Sequence, residues 1–326
     1  MTSVSGPRTA AAPPMFITGT TVVAGGGRRA VSIEAAPINP SDLNLIGGIY
    51  GVRPDLPAAF GAEGVGRVTA VGDGVDGSRL GTRVLVIPTF EQATWREQAV
   101  LDERNAVPVD PDGDPLQLAM LGINPITAYC LLHGYAKLAP GAWVAQTGAS
   151  SATAGYVLAL ARHAGLRTLN MVRRPDSVRP LLAAGADVVL VEGADLTERA
   201  ADAIGDASLD LMIDAVAGEP VAQLASLLKI DGQIISYTAR DRQPLRIPIA
   251  DLIFRGVSVY GYWVNRWLQG TPRDTVAQTY NELATLVADG TLAAPIEATY
   301  ALAEYRDAIA SAARSDRHGK VLVAPR

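Results

Sequence analysis

From residue 116 onward, short apolar runs alternate with helical stretches, and this alternation constrains the fold more than any other feature of the chain. A helical stretch over residues 116–135 leads to an apolar run at 143–146. The turn Thr147-Gly-Ala-Ser-Ser-Ala-Thr153 then opens a helix that reaches about His163. Residues 168–172 form the next strand, followed by a helix through Leu182. Further strands are expected at 187–191, 210–215, 233–238 and 257–262. Strands that alternate with helices pair in parallel. Their near-continuous apolar character suits a sheet covered on both faces.

The chain on either side has a different texture. Before residue 115 it is rich in Gly and Pro, with short β-type runs at 30–33, 64–71, 83–87 and 98–101. Tight turns such as Val71-Gly-Asp-Gly-Val75 separate them. After a helix over 272–289, the C-terminal segment returns to this texture, with strands at 296–300 and 320–323 and a helix at 305–314. The expected organisation is a discontinuous β-rich domain, residues 1–115 and 265–326, around an inserted α/β domain, residues 116–264. A cleft between the two is expected.

Composition excludes several classes. Of 326 residues, 48% are hydrophobic and 19% charged, enough apolar material for a substantial core. The net charge of −5 argues against nucleic-acid binding and against a polybasic membrane surface. No apolar run approaches the roughly 18–20 residues of a membrane span. Residues 1–14 have no apolar core of a secretory signal, so they read as a short disordered leader on a cytoplasmic protein. Cys130 is the single cysteine, which excludes an intrachain disulfide and a cysteine-rich metal site.

The turn at 147–153 follows a strand and opens a helix, where backbone N–H groups and the helix dipole hold a pyrophosphate in Rossmann-type, doubly wound sheets. The usual G-x-G-x-x-G is reduced here to Gly148 and Gly155, and the turn also fits a purely structural connection. The second strand of the series ends in Arg173-Arg174 rather than the acidic residue that pairs a free ribose 2′-hydroxyl. Two guanidiniums suit a 2′-phosphate and hence NADPH; they also fit a pair of solvated surface arginines.

Several further motifs occur in a defined order. They are Ala36-Pro-Ile-Asn-Pro-Ser-Asp-Leu-Asn44, Gly48-Ile-Tyr-Gly51, Gly61-Ala-Glu-Gly-Val-Gly66, Thr94-Trp95, Gly122-Ile-Asn-Pro-Ile-Thr-Ala-Tyr129, Gly261-Tyr-Trp263 and Gly319-Lys-Val321. Together they resemble the medium-chain dehydrogenase/reductase superfamily, and within it the zinc-free 2-enoyl thioester reductases, over roughly residues 30–326. Zinc-dependent members carry a histidine in the G-H-E motif where Ala62 stands here, and no Cys or His set replaces it.

The resemblance implies that the β-rich part is a GroES-like catalytic domain and that the reaction is NADPH-dependent reduction of an enoyl-CoA or enoyl-ACP. It implies Tyr50 as proton donor and enolate stabiliser, although a half-buried core tyrosine would look the same in sequence. It places Asn124 against the nicotinamide or its ribose, with Thr127 three residues on along the same helix face. Asn124 also suits a helix cap before Pro125. Ser150, Ser151, Ala152 and Thr153 would surround the pyrophosphate, beside Arg173 and Arg174. Tyr237, Thr238, Ala239 and Arg240 would approach the nicotinamide side, and Tyr262, Trp263 and Val264 would close over its amide. Lys320 would reach a cofactor phosphate or stand as an ordinary surface lysine. Trp95, Phe254, Trp263 and Trp267 would line an acyl pocket or simply pack in a core. Residues 257–263 resemble the strand through which superfamily dimers join their sheets, so a homodimer is expected. Two other functions remain open: a zinc-independent reductase of quinones or α,β-unsaturated ketones, and a cofactor-binding protein without efficient turnover.

Overall fold

The computed structural model of the protein describes residues 25–238 and 243–325. The leader expected over residues 1–14, together with Ala239 and Arg240 of the expected cofactor site, lies outside the described residues. The chain forms two compact units. One comprises the described residues up to Gly122 with those from Pro295 onward; the other is Ile123–Ala294.

The first unit opens with β1 (Arg28–Pro37), α1 (Pro40–Ile46), β2 (Gly64–Val71), β3 (Arg83–Val86), β4 (Gln98–Asp102), β5 (Ala106–Pro108) and α2 (Pro115–Leu118). The second runs through α3 (Asn124–His133), β6 (Trp143–Gln146), α4 (Ala152–His163), β7 (Arg167–Val172), α5 (Val178–Ala183) and β8 (Val188–Val191). It continues with α6 (Leu196–Ile204), β9 (Leu209–Asp214), α7 (Glu219–Ala225), β10 (Leu228–Ser236), α8 (Ile249–Phe254), β11 (Ser258–Gly261), α9 (Val264–Gly270) and α10 (Arg273–Ala288). The chain returns to the first unit through β12 (Ile296–Tyr300), α11 (Tyr305–Ala313) and β13 (Lys320–Val323).

The first unit is built on β1. Its ten residues pair with β2 and β4 along most of its length and with β13 at its end, where Ala36 lies opposite Val323. The sheet order is β12-β13-β1-β2-β3-β5, with β4 also on β1. Alternate residues of β1 and β3, Val31 with Ile33 and Val84 with Val86, enter one core with Val68, Leu101 and Val321.

The second unit carries a parallel sheet in the order β11-β10-β9-β6-β7-β8. The chain leaves β6 towards β7 and β8 on one side and returns through β9 to β11 on the other. The order therefore reverses between β6 and β9. The carboxyl ends of these two strands form the switch point where open α/β sheets bind ligands. All four residues of β6 are buried, as a sheet covered on both faces requires. Helix α6 is additional to the expected helices; Leu196, Ala200 and Ile204, four residues apart, put one face in the core.

Two expectations are corrected. The single helix over 116–135 is two helices, because Pro125 has no N–H to continue a helix and sits in the first turn of a new one, α3. The domain boundaries differ from 115 and 265: residues 265–294 fold with the second unit. There α10 packs on α3, and fully buried Tyr280 meets Trp267 edge to face with ring centroids 6.5 Å apart. Trp267 is thus part of that packing.

Candidate active site

In the second unit the turn after β6 has the backbone a phosphate needs. Gly148 has φ +62°, a left-handed conformation that favours glycine, and a Cβ there would only touch Ala215 and Val216 at 3.4 Å. The amide of Ala149 bonds the Met171 carbonyl at 3.0 Å, and that of Ser151 the Gly148 carbonyl at 3.0 Å, which sets the turn. Ser151 caps α4 by accepting from the Ala154 amide at 3.2 Å. The first-turn amides of Ala152 and Thr153 have no acceptor inside the helix and point their partial positive charge outward. Ser150 and Ser151 are exposed, which leaves this helix end open to an anion.

The expected residues around the turn come together. The Thr153 hydroxyl donates to Asn124 Oδ1 at 2.8 Å, tying α3 to α4. The Tyr237 phenol interacts with the side chains of Ser151 and Thr153, and burial pushes its pKa up. Asn124 is not a helix cap; Ile123 holds that position, and the Asn124 side chain is used on Thr153 instead. Thr127 is buried one turn further on. The buried Tyr262 hydroxyl lies beside Thr127 and Cys130 without a well-formed hydrogen bond, and desolvation drives its pKa far up. Burial also pushes the Cys130 thiol up to about 11, so it stays protonated. Thr238 is exposed at the end of β10, Trp263 half-buried and Val264 buried. Beyond β7, Arg173 is exposed, and Arg174 is half-buried with its Nε 3.2 Å from Asp176 Oδ1.

Sequence reasoning missed the group that holds the switch point together. Asp214, fully buried at the end of β9, accepts from the Thr147 hydroxyl at 2.8 Å and from the Val216 and Ala217 amides at 3.0 Å. Its second oxygen accepts from Ser236 at 2.9 Å. One carboxylate therefore pins β6, β9 and β10 where the nucleotide turn begins. Each donor left unsatisfied in its absence would cost about 1–3 kcal/mol. The available signal was a charged residue ending an apolar strand.

In the first unit, Tyr50 is delivered by the end of α1. Gly48, at φ +67°, reverses the chain; its amide bonds Leu45 at 3.1 Å and the Ile49 amide bonds Asn44 at 2.9 Å. These two bonds form a Schellman motif, which fixes where the next residue, Tyr50, leaves the helix. Tyr50 is half-buried, its ring tilted against Phe90 with centroids 5.9 Å apart. Phe90 itself has φ +62°, a strained conformation for an aromatic residue and a further feature that sequence reasoning missed.

Below α1 lies a buried polar cluster. Asn39 donates through Nδ2 to Glu63 Oε1 at 2.7 Å and through its amide to Asp42 Oδ2 at 2.8 Å. Asp42 Oδ1 accepts from the Ala62 amide at 3.2 Å. The Lys320 ammonium donates to Asn39 Oδ1 and to the Ile38 carbonyl. Burial raises Asp42 to about 6 and lowers Lys320 to about 8, the latter opposed by the Glu63 charge.

Three expected site residues are placed otherwise. Lys320 is 3% exposed and bonded to Asn39 and Ile38, so it is a buried lysine and not a surface one. Trp95 is 2% exposed in the core of its unit, with its indole N–H on the Pro37 carbonyl at 3.3 Å, so it packs rather than lining a pocket. Phe254 is 82% exposed on α8 and lies outside the core of its unit. Among the described residues, no helix is long and apolar enough to cross a membrane.

Residues 25–113 match the alcohol dehydrogenase GroES-like domain, and residues 153–285 match the zinc-binding dehydrogenase domain. The mitochondrial enoyl-[acyl-carrier-protein] reductase of Dictyostelium discoideum is 32% identical over 300 residues, covering 90% of this chain and 85% of the relative. Among solved structures, the Candida tropicalis enoyl thioester reductase Etr1p, in complex with NADP and crotonyl-CoA, superposes with a TM-score of 0.80 at 25% identity, covering 92% of each chain. A protein described as an NADPH:quinone reductase from Bacillus thuringiensis superposes with a TM-score of 0.85 at 25% identity, covering 94% of this chain and 92% of the other. The expected cytoplasmic location is overturned, because the curated relatives are named as mitochondrial. The absence of an apolar leader could not have decided this, since mitochondrial targeting peptides lack one. The motifs, the two-unit fold and these likenesses make one case: the chain belongs to the medium-chain dehydrogenase/reductase superfamily, in its enoyl thioester reductase branch, and is an oxidoreductase.

Proposed function

We propose that the protein reduces the C2=C3 double bond of a 2-enoyl thioester, carried on CoA or an acyl carrier protein, with NADPH as reductant. The observation that carries this reading is the Tyr50 phenol, held at a rigid helix end in a chain related to enoyl-[acyl-carrier-protein] reductases. NADPH, when bound, supplies the hydride that adds at C3. The residues of the second unit fit such a group. Gly148 opens the turn, the α4 amides and Ser150 to Thr153 face the pyrophosphate, and Arg173 and Arg174 take the 2′-phosphate. Asn124, Thr127, Tyr237, Thr238, Tyr262, Trp263 and Val264 serve the nicotinamide end. Tyr50 donates to the thioester carbonyl oxygen as negative charge develops there, and its proton completes the reduction at C2.

The test is NADPH oxidation by purified protein with crotonyl-CoA, longer enoyl-CoA esters and enoyl-ACP, beside a quinone panel. Turnover of enoyl thioesters well above quinones is expected. The second reading, quinone or enone reduction, is favoured by the likeness to the Bacillus protein, and faster quinone turnover would replace the first reading with it.

The same reading includes a homodimer. Strand β11 ends the parallel sheet, and Val259 and Tyr260 on it are exposed, as are Ile249, Ile253 and Phe254 of α8. A second copy of the chain pairing edge to edge would cover this apolar surface. Sedimentation at micromolar concentration is expected to give twice the chain mass, and a monomer mass would refute the dimer.

A further inference from the structure

Lys320, Asn39, Glu63 and Asp42 are each 3% exposed or less, in a unit whose other buried positions are mostly apolar. One ammonium and two carboxylates are therefore withdrawn from water. Buried ions of this kind contribute little net stability over an apolar packing of the same volume, whereas breaking one partner is costly. Their geometry has one consequence outside the cluster. Asn39 is the N-cap of α1, and the side-chain hydrogen bonds to Glu63, Asp42 and Lys320 meet on it, with Asp42 in the first turn also holding the Ala62 amide. Lys320 brings in β13, from 281 residues away along the chain, and Glu63 brings in the segment before β2. The helix so anchored has only seven residues, about 10 Å at 1.5 Å per residue. Its other end is the Schellman motif that precedes Tyr50.

We propose that Lys320 and Asn39 are positioning residues for Tyr50: they lock the first turn of α1, and the short helix carries that constraint to the phenol. This rests on the reading of Tyr50 as proton donor. A catalytic group displaced by about 1 Å loses as much as 10²-fold in rate, so a network that removes this freedom acts on kcat and not on cofactor binding.

The test is a double-mutant cycle with Tyr50→Phe. Lys320→Gln keeps a donor for Asn39 while removing the charge, and Asn39→Ser is the milder variant should Lys320→Gln fold poorly. Either single variant is expected to lower kcat for crotonyl-CoA about tenfold, with the NADPH KM within about twofold of the parent. In the Tyr50→Phe background the same change is expected to have almost no further effect, because the group it positions is gone. Parental kcat in both single variants, or an undiminished tenfold loss in the Tyr50→Phe background, would overturn the proposal. A Tyr50→Phe enzyme with full activity is a different result: it removes the proton-donor reading itself, and the positioning role with it.

Discussion

Tyr50→Phe is expected to lower kcat for a 2-enoyl thioester by about 10²–10⁴-fold, the usual contribution of a positioned general acid. That corresponds to about 3–5 kcal/mol of transition-state stabilisation. The substitution removes one hydroxyl and keeps the ring, so the tilted contact with Phe90 and the Schellman end of α1 remain. None of the residues proposed to hold NADPH is changed, and all of them belong to the other unit. NADPH affinity, read by fluorescence titration, should therefore stay within about twofold, and the melting temperature should move little. A loss of cofactor binding in step with the loss of rate would mean that the tyrosine supports the fold, not the chemistry. An unchanged rate would leave the protonation at C2 to another group or to water.

The parts that local chemistry dictates were legible in the sequence. Parallel strands buried on both faces are largely apolar, so β6, β7 and β9 stood out, and the turn after β6 followed from their order. Ser151, Thr153 and Asn124 lie in motifs whose order was visible, Tyr237 falls at the end of the strand expected at 233–238, and the structure brings the four together. What stayed hidden depends on partners far apart in the chain. Lys320 and Asn39 meet across 281 residues, and no local period signals that a lysine will be buried there. The tryptophan and phenylalanine expected at an acyl pocket show the same gap: hydrophobicity alone assigns neither Trp95 to a core nor Phe254 to a surface. Asp214 was overlooked because a strand-terminal aspartate reads as a turn residue until its four donors are seen around it.

Arg173→Ala combined with Arg174→Ala is expected to weaken NADPH binding at least 100-fold while leaving NADH binding nearly unchanged. The two cofactors differ only in the 2′-phosphate, so a residue that acts on that group must separate them. A charge-assisted bond between a guanidinium and phosphate is worth about 1.5–3 kcal/mol, and two such bonds lost together account for the factor. The single variants should not be equal. Arg174 already has an exposed ion pair with Asp176 at 3.2 Å, which must be given up or shared when phosphate arrives. Such a surface pair is worth only about 0–1 kcal/mol, so it reduces the Arg174 contribution without cancelling it. Arg173, exposed just beyond the end of β7, should carry the larger share. Asp176→Ala should then tighten NADPH slightly by freeing Arg174. Raising the salt concentration should weaken NADPH binding by the parent protein and have little effect on the double variant, since the screened charges are no longer there. Calorimetric titration of both cofactors against the parent and the four variants measures each of these differences. Equal NADPH affinity in parent and double variant would make the pair two solvated surface arginines, and the preference for NADPH would have to come from elsewhere in the second unit.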